Sequence, residues 1–320
     1  MAAERTQLTI GTRGSKLALW QSNYIKGKLE EITGLPVCLK IIKTTGDKIL
    51  DVPLAKVGGK GLFTKEIEVE LAAGTVDLAV HSMKDVPTEL PEGLGIHAMP
   101  PRVDPRDVMV SGANYDLESL PQGARLGTSS LRRRAQVVAL RPDLEIVDVR
   151  GNLDTRMRKA EEGELDAVIL ASAGITRMGW ADRITHYIPS EQMVSAVGQG
   201  AIGIEVRNDD EFMLDVCAKL ADAETMTCVT AERVVMRQLE GGCQVPIGAY
   251  CRIEGGKLVM DAMVGSIDGT NILRYRLEGD VGEPEMLGSA MVDRLRDMGA
   301  DEILDEIRGA DGDVSSLLKT

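Results

Sequence analysis

The first half of the chain repeats one layout of strand, polar turn and helix, and this repetition limits the possible folds more than any other feature. A short apolar stretch at 7–11 is typical of a buried strand and leads through the turn 12–15 (TRGS) into a helix. Near Arg125 the layout returns, with a strand ending at Gly127, the turn 128–130 (TSS) and a second helix. We therefore predict two α/β domains of similar build, in which helices follow strands.

A second pair of matching segments supports this interpretation. Gly74 is followed by Asp77 and a short apolar run, and Gly163 is followed by Asp166 and a similar run. Glycine commonly ends a helix because it adopts left-handed backbone angles without steric cost, and the apolar run that follows is typical of a buried strand. The same helix-to-strand connection is therefore predicted in both halves.

Two irregular segments mark the places where the chain passes between these domains. The proline-rich stretch 99–105 reads as a crossover out of the first domain, and the stretch 195–203, with three glycines, reads as the return. The predicted first domain thus comprises residues 1–100 and 200–220, and the second comprises 105–195. The fold class that follows is a pair of α/β domains joined by a double crossover.

The character of the sequence then changes, and we predict a smaller α+β domain over residues 223–320. A helix through 230–239 comes first. The pairs Gly255-Gly256 and Asp268-Gly269 then separate segments of alternating polarity, and this predicts two β-hairpins with tight turns. A final amphipathic helix is predicted over about 283–307.

Charge and cysteine content exclude several classes of protein. The formal net charge of −13 argues against a nucleic acid or an anionic membrane as partner, because phosphate binding requires a basic surface. No apolar run reaches the length of a membrane span, and residues 1–10 lack the layout of a signal peptide. The five cysteines form no C-x-x-C motif and the three histidines lie far apart, so we expect free thiols in a reducing cytoplasm and no metal site.

The segment 241–246 (GGCQVP) flanks Cys243 with two glycines and a nearby proline. Glycine removes side-chain bulk, and proline restricts the chain just beyond the thiol. A thiol in such a loop is accessible to a large ligand, in contrast to a thiol on the apolar face of a helix. The alternative is a buried structural cysteine, since unpaired cysteines are among the most buried residues.

Both polar turns lie where a strand leads into a helix, and this position favours anion binding. Unpaired backbone N–H groups and the helix dipole attract an anion there, and hydroxyl groups add donors. The alternative is ordinary N-capping by Thr12, Ser15 or Ser130. Arg13 and the run 132–134 favour anion binding, because three arginines at a helix N-terminus oppose the local dipole.

Six arginines in the first 180 residues are candidate anion ligands, and Arg13 is one of them. Successive helical residues point about 100° apart, so the run 132–134 cannot face one site as a whole. We predict Arg132 and Arg133 as ligand-binding residues and Arg134 as solvated or ion-paired. Further candidates lie near strand ends or helix ends: Arg150, Arg156 and Arg177. Each by itself is compatible with a surface salt bridge, but the set indicates a cleft for several carboxylates, which guanidinium groups bind with paired hydrogen bonds.

The segment 81–87 (HSMKDVP) follows the predicted strand 78–80. Adjacent residues of an extended segment point in opposite directions, so Lys84 and Asp85 are expected to have different roles. Asp85 beside a cationic cleft is suited to stabilise a developing positive charge and to transfer a proton, and the alternative is a loop ion pair. The glycine-rich loop 58–63 is suited to cover a cleft, but it does not match a phosphate-binding P-loop.

The chain closely resembles the porphobilinogen deaminase family, also called the hydroxymethylbilane synthase family. The matching stretches follow the family's order over about the first 250 residues: GTRGSKLALWQ (11–21), KGLF (60–63), HSMKDVP (81–87), GTSSLRRRAQ (127–136), RGNLDTR (150–156), AVGQGAIGIE (196–205) and EGGCQVPIGAY (240–250). The resemblance implies a monomer of three domains, of which the first two resemble type II periplasmic binding domains. It also implies one dipyrromethane cofactor per chain, attached through a thioether to Cys243.

The resemblance further implies a transferase of porphyrin and haem biosynthesis. Family members join four porphobilinogen molecules head to tail on this primer, release ammonia at each step, and then release the linear tetrapyrrole hydroxymethylbilane. Asp85 is the implied catalytic carboxylate and also contacts the cofactor. The other implied cofactor-binding residues are Cys243, Lys84, Thr128, Ser130, Arg132, Arg133, Arg156 and Gln199. The implied substrate-binding residues are Arg13, Ser15, Phe63, Arg150 and Arg177.

Two positions depart from the family pattern, and two other classes of function remain open at this point. Val103 replaces a common glutamate and Ser195 replaces a usual proline, which questions the stiffness of the crossovers more than the chemistry. A non-catalytic binding or sensor protein would need neither Cys243 nor Asp85. A cysteine-dependent acyltransferase would need a histidine base, and no histidine is near Cys243 in sequence.

Overall fold

The computed structural model describes residues 5–48, 61–241 and 245–309. Cys243 and the loop residues 58–60, both singled out from the sequence, lie outside these ranges. The described residues form two compact units. The first contains residues 5–48, 61–103 and 201–226, and the second contains residues 104–200, 227–241 and 245–309.

The described strands and helices follow the predicted alternation in the first two thirds of the chain. The strands are β1 Leu8–Thr12, β2 Val37–Ile41, β3 Leu78–Ser82, β4 Leu94–Ala98, β5 Asp107–Val110, β6 Arg125–Gly127, β7 Glu145–Val147, β8 Ala167–Ala171, β9 His186–Tyr187, β10 Ile202–Arg207, β11 Ile247–Glu254, β12 Lys257–Gly265 and β13 Ile272–Asp280. The helices are α1 Lys16–Thr33, α2 Thr45–Lys48, α3 Lys65–Ala72, α4 Leu131–Leu140, α5 Leu153–Glu161, α6 Ser172–Arg177, α7 Glu211–Leu220, α8 Ala223–Gln238, α9 Pro284–Asp297 and α10 Ala300–Gly309.

Two five-stranded sheets have the same order and the same strand directions. The first sheet has the order β2-β1-β3-β10-β4, and the second has the order β7-β6-β8-β5-β9. In the first, β1 is parallel to β2 and β3, and β10 is antiparallel to β3 and β4. In the second, β6 is parallel to β7 and β8, and β5 is antiparallel to β8 and β9. The predicted fold class, two α/β sheets of the type II periplasmic binding kind with a double crossover, is confirmed.

The matching segments noted in the sequence occupy equivalent places in the two sheets. Gly74 and Gly163 have φ values of 69° and 79°, as expected of residues that end a helix in the left-handed region. The carboxylate of Asp77 accepts a hydrogen bond from the backbone N–H of Thr9 at 2.8 Å, and that of Asp166 accepts one from Arg125 at 2.7 Å. Each aspartate thus ties its strand to the central parallel strand.

A three-stranded antiparallel sheet, β11-β12-β13, belongs to the second unit. Gly255-Gly256 and Gly269 have positive φ at the two hairpin turns, so both predicted hairpins are confirmed. Helices α8, α9 and α10 contribute to its apolar core, which includes Val235, Met260 and Leu304.

The prediction of one helix over 283–307 is wrong. The chain forms α9 and α10 instead, and Gly299 separates them with φ of 100°. Left-handed backbone angles cannot continue a right-handed helix. The division into three domains with the predicted boundaries stays a prediction. In the part of the chain that the structure describes, no helix combines the length and apolar character needed to cross a membrane.

Candidate active site

Lys84 and Asp85 lie at the carboxyl end of β3 in the first unit. The structure differs from the sequence-based prediction here, because residues Met83–Asp85 form a 3-10 turn rather than an extended segment. The turn forms because Met83 is buried and its carbonyl accepts a hydrogen bond from the N–H of Val86 at 3.2 Å. Since a 3-10 helix has three residues per turn, Lys84 and Asp85 still point in different directions. Both are exposed.

The carboxylate of Asp85 has no hydrogen-bond or ion-pair partner within residues 5–48, 61–241 and 245–309. Another partly exposed aspartate of the same unit does have such a partner, since Asp47 pairs with Arg13. The loop ion pair that the sequence left as an alternative is therefore not formed between Asp85 and a described residue. An exposed carboxylate of this kind is available to N–H groups of a ligand or to a developing positive charge.

Met83 anchors this turn against the neighbouring strand. Its side chain is 1% exposed, and its backbone N–H donates to the carbonyl of Ala201 at 3.1 Å, just before β10. Gly203 makes room for it, since a Cβ atom at Gly203 would lie 2.3 Å from the sulfur of Met83. The position of Asp85 thus depends on the close approach of β10 to Met83.

Arg13 and Phe63, both predicted to bind substrate, are in contact in the first unit. The guanidinium carbon of Arg13 lies 4.1 Å from the centroid of the Phe63 ring, a cation–π contact. Arg13 also donates to Asp47, with Nη2 2.5 Å from Oδ1. Burial by itself would raise the pKa of Asp47, but hydrogen bonds from Arg13 and Thr44 outweigh it and lower that pKa. A ligand carboxylate at Arg13 would therefore share it with Asp47 or replace Asp47.

The polar turns act as helix caps in both units. Ser15 accepts a hydrogen bond from the N–H of Ala18 at 3.3 Å at the start of α1. Ser130 accepts one from the N–H of Arg133 at 3.4 Å at the start of α4, and Thr128 accepts one from the N–H of Ser130 at 3.3 Å. N-capping, the alternative weighed from the sequence, is therefore present. Ligand binding by the same hydroxyl groups stays a prediction.

Arg132 and Arg133 form a buried cluster with Asp107 of β5 in the second unit. Asp107 is fully buried, and the two arginines are 5% and 6% exposed. Arg132 Nη1 lies 2.7 Å from Asp107 Oδ2, and Arg133 donates through Nε and Nη2 to Oδ1 at 3.0 and 2.8 Å. Burial would raise the pKa of Asp107, but the two guanidinium charges outweigh it and hold that pKa far below its ordinary value.

Gln199 lies in the return crossover, and Arg177 forms a hydrogen bond with that segment. The side-chain amide of Gln199 donates to Asp107 Oδ1 at 2.9 Å and to the carbonyl of Pro105 at 2.6 Å. Arg177 is buried at the end of α6 and donates from Nη2 to the carbonyl of Gly200 at 2.8 Å. Ser195, which departs from the family pattern, donates to the same Pro105 carbonyl at 2.8 Å. The crossover is thus fixed by side-chain hydrogen bonds.

Arg150 precedes α5 in the second unit, and Arg156 lies within that helix. Strand β7 ends at Val147, and Arg150 follows it as a half-buried residue. Arg156, in the first turns of α5, donates from Nε to the carbonyl of Gly151 at 2.8 Å. Gly151 has φ of 106°, a conformation that favours glycine.

The predicted site residues thus form two groups. The first unit holds Arg13, Ser15, Phe63, Lys84 and Asp85. The second holds Thr128, Ser130, Arg132, Arg133, Arg150, Arg156, Arg177 and Gln199. Cys243 lies outside the described residues. Of the described cysteines, Cys38 is exposed, and Cys217, Cys228 and Cys251 are buried.

Sequence reasoning missed a buried acid–imidazole pair between strands β3 and β10. His81 Nε2 lies 2.8 Å from Glu205 Oε2, and the two side chains are 4% and 0% exposed. Glu68 of α3 is nearby, and burial, with a smaller contribution from the charge of Glu205, raises its pKa. Residues 68, 81 and 205 are far apart in sequence, so no local pattern indicates this pair. It also missed Asp47 and Asp107.

No group of three or more metal-ligating side chains occurs among the residues described. The donors that do occur are guanidinium groups, an ammonium group and hydroxyl groups, which suit the carboxylates of an organic ligand rather than a metal ion.

Comparison with known proteins identifies the family. Residues 8–215 match the family model described as porphobilinogen deaminase, dipyromethane cofactor binding domain, and residues 226–297 match porphobilinogen deaminase, C-terminal domain. The chain is 53% identical over 302 residues to the porphobilinogen deaminase of Geobacter metallireducens, covering 94% of this chain and 95% of that protein. It is 54% identical over 301 residues to that of Syntrophobacter fumaroxidans, covering 94% and 97%.

Solved structures with a related arrangement are more distant. A putative methionine-binding lipoprotein of Bacillus subtilis is 13% identical, with a TM-score of 0.43, covering 67% of this chain and 90% of that one. The periplasmic VFT2 domain of BvgS from Bordetella pertussis is 14% identical, with a TM-score of 0.40, covering 67% and 86%.

The chain therefore belongs to the porphobilinogen deaminase family, as the sequence motifs indicated. It is a transferase of tetrapyrrole biosynthesis with a dipyrromethane cofactor. The predictions of family, enzyme class and cofactor are confirmed, and the hypotheses of a non-catalytic binding protein and of an acyltransferase are set aside.

Proposed function

We propose that this protein joins four porphobilinogen molecules head to tail on a dipyrromethane held by Cys243, with loss of ammonia at each step, and then releases hydroxymethylbilane. The match to both family domains over residues 8–215 and 226–297 is the observation that carries the proposal. When bound, the dipyrromethane supplies the pyrrole carbon to which the first substrate is joined. Cys243 would supply the sulfur that retains it.

The described residues fit such a ligand. Pyrroles with acetate and propionate groups present N–H donors and several carboxylates. Asp85 is an exposed acceptor with no partner among the described residues, which suits pyrrole N–H groups. Within the same ranges, Nε and Nη2 of Arg132 bond no acceptor, which suits a carboxylate. The donor set therefore matches the chemistry of the group that the family implies.

We assign the reaction's charge stabilisation to Asp85. As ammonia leaves the substrate, positive charge develops on the pyrrole, and a nearby carboxylate lowers the energy of that charge. In this proposal the same carboxylate would accept a hydrogen bond from the pyrrole N–H and would move a proton during coupling. Because Asp85 ends a turn anchored by buried Met83, its backbone is fixed while its carboxylate forms no ion pair with a described residue.

Cationic, hydroxyl and amide side chains bind and orient the carboxylates in this proposal. Cofactor carboxylates would contact Lys84, Thr128, Ser130, Arg132, Arg133, Arg156 and Gln199. Substrate carboxylates would contact Arg13, Ser15, Arg150 and Arg177, with Phe63 packed on a pyrrole. The cation–π contact of Arg13 with Phe63 supports a shared role for these two.

The experiment for cofactor attachment is the mass of the intact, freshly purified protein. We expect the wild-type chain to carry a dipyrromethane adduct and to turn pink with acidic Ehrlich reagent, and Cys243→Ser to lack both. A wild-type protein without the adduct, which also acquires none when supplied with porphobilinogen, would contradict the proposal.

The experiment for Asp85 separates chemistry from folding. Since Asp85 is exposed and has no described partner, Asp85→Asn should leave the free energy of unfolding within about 0.5 kcal/mol of wild type. Loss of the charge should lower kcat by roughly 100- to 1000-fold, the range for removing one charge-stabilising group. The adduct should still be present. Wild-type turnover of porphobilinogen by this variant would show that the assigned role is wrong.

We further propose that the protein acts as a monomer in the cytoplasm. The family resemblance supports the monomer, and the free thiols of Cys38, Cys217 and Cys228 support a reducing compartment. Light scattering coupled to size exclusion would measure one chain mass of 34.5 kDa for a monomer and twice that for a dimer.

A further inference from the structure

Asp107 contacts three of the side chains that the proposed function assigns to the cofactor. Its Oδ2 atom accepts from Arg132 Nη1 at 2.7 Å. Its Oδ1 atom accepts from Arg133 Nη2 at 2.8 Å and from Gln199 Nε2 at 2.9 Å. These three residues come from α4 and from the return crossover, which are far apart in sequence. One carboxylate thus holds side chains from two separate segments of the second unit.

Asp107 itself cannot be a ligand of the cofactor. It is fully buried, and both of its oxygens are occupied by protein donors. A residue of this kind acts on a ligand only through the groups that it holds. Its role is therefore to be sought in the orientation of Arg132, Arg133 and Gln199.

The cluster has more positive charge and more guanidinium N–H groups than Asp107 pairs with. One aspartate faces two arginines, so the cluster carries one surplus positive charge. Arg133 donates from Nε and Nη2 to Asp107 and from Nη1 to the carbonyl of Ile169. Arg132 donates only from Nη1, to the carboxylate of Asp107 and to the carbonyl of Val194. In the ranges that the structure covers, its Nε and Nη2 bond no acceptor, so Arg132 presents the unpaired side of its guanidinium group.

We propose that Asp107 is a positioning residue for the cofactor. It offsets the repulsion between two adjacent guanidinium groups, holds both in fixed orientations, and leaves the free side of Arg132 for a carboxylate of the dipyrromethane. This inference rests on the proposed function. Without Asp107, two buried like charges repel each other and the amide of Gln199 keeps the Pro105 carbonyl but loses Asp107 as an acceptor, so the prearranged donor set is lost.

A purely structural role is the alternative, and the chain contains a matched control for it. Asp261 of β12 is 4% exposed and is also shared by two arginines. Its oxygens accept from Arg252 Nη1 at 2.7 Å and from Arg276 Nε at 2.8 Å. None of these three residues belongs to the proposed site. Asp107→Asn and Asp261→Asn therefore each remove one buried carboxylate charge shared by two arginines, although Arg252 and Arg276 are more exposed, at 18% and 48%.

The experiment compares the wild-type protein with both variants as purified full-length chains. Intact mass measures the fraction that carries the adduct on Cys243, and urea denaturation measures stability. We expect Asp261→Asn to lose stability and keep the wild-type fraction of adduct. We expect Asp107→Asn to acquire the adduct about 10- to 100-fold more slowly when the cofactor-free protein is supplied with porphobilinogen.

Two results would overturn the inference. One is an equal rate of adduct formation in Asp107→Asn and wild type, and the other is an equal loss of adduct formation in both variants, since a structural role predicts the latter. A wild-type chain without adduct contradicts the proposed function instead, so the two failures are distinguishable.

A second pair of variants covers the case in which Asp107→Asn does not fold. Asp107→Glu and Asp261→Glu keep the charge and lengthen the side chain by one methylene group. We expect Asp107→Glu to raise the KM for porphobilinogen or slow adduct formation by about 10-fold while Asp261→Glu does neither. Identical behaviour of these two variants would overturn the inference.

Discussion

Replacing Gly203 by alanine is expected to displace the turn that carries Asp85 without changing Asp85 itself. An alanine Cβ at this position would lie 2.3 Å from the sulfur of Met83. Non-bonded heavy atoms are in contact at about 3.5–4.0 Å, so the sulfur must move by roughly 1.5 Å. Met83 is buried and is the first residue of the turn Met83–Asp85, so the movement is passed to Lys84 and Asp85.

Two effects of different size follow from this overlap. Inserting a methyl group into a well-packed site costs about 1–3 kcal/mol of stability. A displacement of a catalytic group by about 1 Å can reduce turnover by roughly 100-fold. Gly203→Ala should therefore lose much more activity than its loss of stability would explain at a temperature where it is still folded.

The assay is kcat with porphobilinogen, measured beside urea denaturation. Gly95→Ala is the matched control, because it lies in the same sheet and a Cβ there would lie 2.6 Å from His97. It should lose stability and keep most of its activity. Shortening Met83 to alanine in the Gly203→Ala background should restore part of kcat. The reasoning fails if Gly203→Ala has the kcat and the unfolding free energy of wild type.

Three further predictions concern stability. The raised pKa of Glu68 means that its contribution to stability is present below about pH 4.5 and is lost as pH rises through the folded-state value. Urea denaturation should therefore show Glu68→Gln to be more stable than wild type at pH 7 and equal to it near pH 4; an equal difference at both values would contradict this. Gly299→Ala should lower the unfolding free energy by about 1 kcal/mol or more, because its φ is 100°, and an unchanged value would contradict this. Gly27 lies inside α1, and a Cβ there would meet no atom within 4 Å. Gly27→Ala should therefore raise the unfolding free energy by roughly 0.5–1 kcal/mol, and a loss of stability would refute that reasoning.

Local patterns were sufficient to predict most of the architecture. Gly74 and Gly163, each followed by an aspartate and an apolar run, indicated duplicated connections, and both occur. The two hairpins at Gly255 and Gly269 were predictable because glycine at a turn between alternating strands has a strong local preference. These features depend only on residues that are neighbours in sequence.

Features that depend on distant residues could not be predicted in the same way. The partners of Arg132 and Arg133 are an example, because Asp107 lies in another strand and no periodic pattern relates it to α4. The sequence indicated these arginines as anion ligands, and the structure shows that a buried protein carboxylate already occupies part of their capacity. The break at Gly299 was missed because apolar residues continue on both sides of it, so the amphipathic pattern hides the interruption.

The insertion of β10 between β3 and β4 has a consequence for the order in which a nascent chain acquires structure. When β4 has left the ribosome, the strand that must separate it from β3 is still on the order of 100 residues from being translated. At the usual elongation rate of about 5–20 residues per second, the first sheet waits roughly 5–20 s for β10, the strand that lies between β3 and β4. All strands of the second sheet emerge within that interval. The second sheet, although it comes later in the chain, is therefore the first whose strands can all pair during synthesis.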